Sequence, residues 1–157
     1  MKKMSDVQCI KLYEDDDIDY ALIGSFDQNK PLKVVINSGG GSFQTSYDLK
    51  SCLSGFEHIT VELPGMLCGT YFRVLTYADK IVASEKAQFH WMGARVVCYG
   101  SLDEMNRIAD KVRAVELELI KEFQDKFGIN LDDIKDKWLS VSEMKALGVP
   151  IEVIEMD

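Results

Sequence analysis

The amino-acid sequence predicts an α/β fold, on three observations. Leu32 to Ile36 is a nearly continuous apolar run that breaks at Gly39-Gly40-Gly41 into a helical pattern. A run without polar alternation suits a strand buried on both faces, as in a parallel or mixed sheet. Further strand-like runs alternate with helical patterns along the chain, which demands crossover connections. Finally, Met105, Ile108, Val112, Val115, Leu119, Phe123 and Phe127 recur three and four residues apart with charge between them, the mark of one long amphipathic helix.

Taken in order, Val7 to Leu12 alternates as a strand. Glu14-Asp15-Asp16-Asp17 then suits the start of a helix, where carboxylates favour the positive end of the dipole. That short helix is expected to end near Phe26, and Asn29-Lys30-Pro31 forms the turn into the strand Leu32 to Ile36. After the glycines, Phe43, Tyr47, Leu49, Cys52, Leu53 and Phe56 follow helical spacing, with Gly55 near the end. Ile59 to Leu63 reads as a strand closed by Pro64-Gly65. Met66 to Ala78 reads as a second tight turn into a buried helix, apolar on most sides. Ile81 to Ala83 and Ala87 to Met92 read as short strands around the turn Ser84-Glu85-Lys86. Gly128 stops the long helix. Leu131 to Lys135, Lys137 to Ser140, a short helix ending at Gly148-Val149-Pro150 and a terminal strand from Ile151 to Ile154 complete the chain.

The length, 157 residues, suits a single domain spanning 1–157. Apolar residues at 46% and charged residues at 28% give a globular balance. The net charge of −8 argues against a broad nucleic-acid footprint and against anionic lipid surfaces. No apolar run reaches membrane-spanning length, and Met1 to Asp6 is followed by polar residues rather than a signal-peptide core, so the expected compartment is the cytoplasm. Cys9, Cys52, Cys68 and Cys98 lack CxxC spacing and have only His58 and His90 for company; reduced thiols are expected and no zinc site. The acidic run lacks the Gly and distal Glu of a calcium loop. No metal or cofactor is expected.

The glycine turn has a chemical reading. Glycines reach φ > 0 and leave N–H groups bare toward an approaching oxygen, which makes an anion or oxyanion cradle; many strand-to-helix turns use glycine without any ligand. The segment Ile36-Asn37-Ser38-Gly39-Gly40-Gly41-Ser42 resembles the Ile-Asn-Ser-Pro-Gly-Gly-Ser segment of ClpP, the proteolytic subunit of the Clp protease. Tyr77 to Ser84 resembles the matching segment of the related signal peptide peptidases. Trp138-Leu139-Ser140 with Glu143, Ala146, Leu147 and Gly148 is similar to the ClpP ending. These pieces follow family order from about Cys9 to the C-terminus. The resemblance implies a ClpP/crotonase-like spiral of βαβ units with a protruding long helix, in which Gly40 and Gly41 supply the oxyanion hole.

The same resemblance places Gly69 at the nucleophilic serine and Met92 at the histidine, with His90 two residues earlier on the same strand face. Asp136, ahead of Trp138-Leu139-Ser140, weakly matches the aspartate. A Ser-His-Asp mechanism needs a hydroxyl, a base within reach and an acid to orient it. Gly69 supplies no hydroxyl, so the expectation is a ClpP-like pseudoenzyme: an oligomeric scaffold, a regulatory subunit or a binder of extended peptides. Two other chemistries stand open. Cys68, His90 and Asp136 would form a cysteine hydrolase, since Cys68 adjoins the nucleophile position at a helix N-terminus. Paired oxyanion donors without serine would suit crotonase-like acyl-CoA binding.

For partners, the resemblance implies a ring-forming homo-oligomer, through the segment from Val96 to Phe127 and partly through Val112, Val115 and Leu119. An active ClpP-type subunit or an extended peptide are further expected partners. The stretch from Met1 to Val7 is too short for the axial loop with which ClpP meets its unfoldase.

Overall fold

The computed structural model describes residues 7–13 and 18–156. The acidic run Glu14 to Asp17 and the segment Met1 to Asp6, for which a helix start and a missing axial loop were expected, lie outside the described residues. The fold is α/β, as the alternation of strand and helix patterns predicts. Five strands, β1 (Gln8–Tyr13), β2 (Leu32–Asn37), β3 (Ile59–Leu63), β5 (Lys80–Ala83) and β8 (Ile151–Val153), form one parallel sheet in the order β1-β2-β3-β5-β8. Helices α1 (Tyr20–Ser25) and α2 (Phe43–Leu53) make the first two crossovers. A second sheet of β4 (Met66–Cys68), β6 (Gln88–His90) and β7 (Trp138–Ser140) has β4 and β6 parallel and β6 and β7 antiparallel.

Local chemistry accounts for the helix ends. Asp19 caps α1 by accepting the Leu22 N–H, and Ser42 caps α2 by accepting the Thr45 N–H. Ser101 and Glu104 form a reciprocal capping box at the start of α4 (Leu102–Phe127), and Gly128 ends it in the left-handed region at φ 71°. A second box, Ser140 with Glu143, starts α5 (Val141–Leu147). With 26 residues, α4 is about 39 Å long.

The core lies between the parallel sheet and its helices. Val34, Ile36, Val61, Leu63, Phe72, Val74, Leu75, Phe89, Leu119 and Phe123 are fully buried. Burial corrects one expectation about assembly. Leu119 packs inside the domain together with Ile120 and Phe123, so it is not available to a neighbouring subunit. The first three turns of α4 run exposed, with Met105 and Val112 half-buried among them.

The stretch from Met66 to Ala78 also differs from a simple helix. Met66 to Cys68 pair as β4 alongside β6, a single 3₁₀ turn follows at Gly69–Tyr71, and α3 is confined to Phe72–Thr76. The cause is tertiary. Asn37 Oδ1 accepts the Met66 N–H at 3.0 Å, and a Cβ at Gly65 would stand 2.5 Å from that oxygen. Ser38 N–H donates to the Met66 carbonyl at 2.9 Å, and Ser38 bridges Leu67 in parallel. The end of β2 thus captures the residues after Gly65 as a strand. The helix α2 likewise stops before Phe56, which is nevertheless buried in the core. No helix among the described residues is long and apolar enough to cross a membrane.

Candidate functional site

The carboxyl ends of three parallel strands converge on one cleft, the place where crossover folds leave room for ligands. Gly39, Gly40, Gly41 and Ser42 follow β2; Gly69 and Thr70 follow β4; Met92 and Gly93 follow β6. Arg95, Val96 and Val97, together with Val112 of α4 and Phe43 of α2, close a volume of about 420 Å³. The two positions that the resemblance equates with the family's serine and histidine, Gly69 and Met92, therefore lie on the same cleft as the glycine turn.

The two glycine turns are locked together. Thr70 Oγ1 donates to the Gly41 carbonyl at 3.1 Å, and the Tyr71 ring lies against Gly41. The buried Ser38 hydroxyl braces the first turn by donating to the Gly40 carbonyl and accepting the Gly40 N–H, both at 3.2 Å. Gly40 thus has its N–H engaged within the turn, while the Gly41 N–H has no hydrogen-bond acceptor among the described residues. The cradle offers one open donor at Gly41 rather than the expected pair. Gly40 and Gly69 sit at φ 127° and 59°, a region that side chains other than glycine adopt at a cost. Space is not the constraint at Gly69: a Cβ there would meet Gly40 Cα at 3.7 Å, an ordinary contact.

The alternative catalytic set is placed differently. Cys68 and His90 are register partners on adjacent strands and share a sheet face. Cys68, however, is 1% exposed, and neither residue lines the cleft. His90 stacks on the ring of its other cross-strand neighbour, Trp138, with centroids 4.3 Å apart and 12° between planes. Asp136 is exposed, outside the cleft lining, and held at φ 64° with its N–H donating to the Trp91 carbonyl. Cys9, Cys52, Cys68 and Cys98 form no disulfide among the described residues. Burial, then the Asp48 charge, pushes the Cys52 thiol up. Among the described residues no group of three His, Cys, Asp or Glu side chains is placed to hold a metal ion.

Three residues that sequence reading did not single out shape the site. Ser38 braces the glycine turn. Glu116 on α4 accepts the Ala94 N–H, which ties the segment after β6 to the long helix. Arg95 is the one ionisable side chain on the cleft lining among the described residues. A glycine turn followed by serine hints at the first, but the other two depend on where α4 lands.

Behind the cleft, charge is handled by a compact network. Arg73 is completely buried, and its Nε and Nη2 each donate to one oxygen of Glu122 at 3.1 Å. Nη2 also lies 3.0 Å from Glu118, and Lys50 of α2 pairs with both carboxylates. Hydrogen bonding from Lys50 holds the Glu118 carboxyl below its usual range. No protein-family model matches this chain, and no curated protein matches it.

Proposed function

We propose that this is a ClpP-like protein without peptidase activity, acting in the cytoplasm as an oligomeric scaffold, a regulatory subunit or a binder of extended peptides. The observation that carries the reading is the cleft itself. Gly40, Gly41, Gly69 and Met92, which the resemblance equates with the oxyanion turn, the nucleophile and the base, all line one volume. The positions are grouped as a peptidase would need, while the side chains that would form and stabilise an acyl-enzyme are missing. Neither Ser42 nor Thr70 replaces them. Ser42 Oγ caps α2, and Thr70 Oγ1 is spent on the Gly41 carbonyl.

The segment from Met92 to Tyr99 supports peptide binding and assembly. It belongs to neither sheet, and the Ala94 N–H is the only main-chain group in it with a hydrogen bond among the described residues. Unpaired main chain of this kind accepts another strand. Beyond the cleft, Tyr99 and Leu102 are 90% and 74% exposed. Apolar side chains so placed, next to the bare first turns of α4, suit burial against a second copy.

The test is turnover and mass together. The purified chain is expected to show no saturable hydrolysis of unfolded protein or short peptide esters, and Cys68→Ala is expected to change nothing. Turnover abolished by Cys68→Ala would replace the reading with a cysteine hydrolase. Light scattering is expected to return a multiple of 17.7 kDa, reduced by Tyr99→Asp. A monomer mass at micromolar concentration would defeat the assembly part.

A further inference from the structure

We infer that the cleft reads the free carboxylate end of a peptide whose last side chain is apolar. The inference rests on the peptide-binding reading above and names the part of the peptide that is recognised. Its starting point is Arg95. In a chain of net charge −8, the sole ionisable residue among the described residues lining this cleft is a cation. Arg95 makes no ion pair or hydrogen bond among the described residues, whereas Arg73 is fully partnered. The nearby Glu116 carboxylate accepts the Ala94 N–H.

The same lining carries the glycine turn, with the open Gly41 N–H. A guanidinium presents its donors as a fork that fits the two oxygens of a carboxylate, and a bare N–H in a glycine turn adds a third donor. The remaining lining, Met92, Val96, Val112 and Phe43, is apolar. The cleft therefore pairs a carboxylate anchor with an apolar pocket, and among the described residues no carboxylate side chain is part of its lining.

A peptide fits this combination better than a simple fatty acid. The main chain of Met92, Arg95, Val96 and Val97 has no hydrogen bonds among the described residues. Those groups can pair with an extended peptide running into the cleft, which a hydrocarbon tail cannot exploit. An internal peptide segment would pair equally well along this edge, but it would bring only a neutral carbonyl to Arg95. The carboxylate terminus is what the cation selects.

The experiment compares two otherwise identical pools of fluorescein-labelled octapeptides ending in Leu, Val or Phe, one with a free carboxylate and one amidated, by anisotropy against the full chain. The acid pool is expected to bind roughly 10- to 100-fold more tightly, the range of a charge-assisted contact. Arg95→Gln should bring the acid down to the amide without changing the circular dichroism, and Arg95→Lys should keep part of the preference. Equal binding of the two pools overturns the inference while leaving the extended-peptide reading in place. Binding of neither pool overturns both. Dodecanoate binding without peptide binding overturns the peptide in favour of a free carboxylic acid. Should Arg95→Gln misfold, the acid and amide comparison on the unmodified chain decides alone.

Discussion

Arg73→Ala is expected to lower the unfolding free energy by about 3–5 kcal/mol, the range for removing one partner from a buried ion pair. The guanidinium is 0% exposed and holds three elements at once. From α3 it reaches Glu118 and Glu122 on α4, and its Nη1 lies 3.4 Å from Ser46 Oγ on α2. With Arg73 and Lys50 present, two cations face two carboxylates. Alanine leaves one cation for two carboxylates, together with a cavity where a long side chain was. The carboxylates keep some contact with water, at 37% and 26% side-chain exposure, so the lower half of the range is expected. Lys50→Ala, at a more exposed position, should cost under about 1 kcal/mol. Chemical denaturation of the two variants checks the contrast; equal losses would show that burial of Arg73 adds nothing. The loss should reach the cleft as well. Glu118 stands two residues beyond Glu116, which anchors Ala94, so loosening α4 loosens the wall that carries Arg95.

Phe72→Ala is expected to cost about 3–5 kcal/mol, the usual loss for deleting a buried aromatic ring. Phe72 is completely buried at the first position of α3, directly after the turn that carries Gly69. Its ring meets Trp91 edge-on at 5.8 Å, Phe89 at 6.5 Å and Phe123 at 5.8 Å. It thereby joins α3 to β6, to the residue ahead of Met92 and to α4. Edge-to-face pairs add to the area term, so the void left by alanine loses directional contacts along with apolar burial. Phe72→Leu should cost less than half as much. A midpoint shift at unchanged denaturant slope would match this account; a stability unchanged by Phe72→Ala would contradict the packing.

Much of the architecture was legible in the chain because it depends on neighbours in sequence. The strand Ile59 to Leu63 is found with those bounds, and Leu32 to Ile36 is extended only by Asn37. Period-two and continuous apolar runs report burial directly. The end of α4 was equally readable, since Gly128 takes the left-handed conformation that glycine favours. The glycine turn before α2 and the serine cap at its start are local in the same sense.

What only the tertiary structure decided involves partners far apart in sequence. Met66 to Cys68 become a strand because Asn37 and Ser38 capture them and β6 lies alongside, which no window around Gly65 contains. Arg73 sat within an apolar helical run, and its stabilising carboxylates arrive 45 and 49 residues later, by the difference of the residue numbers. The same distance hid the burial of Leu119 and the stacking of His90 on Trp138. The grouping of Gly41, Gly69, Met92 and Arg95 on one cleft is of this kind too. Local propensity sets which segments become strands and helices, but a site needs several strand ends brought to one place, and that is set by the order in which the strands pair and by the packing that holds α4 across them.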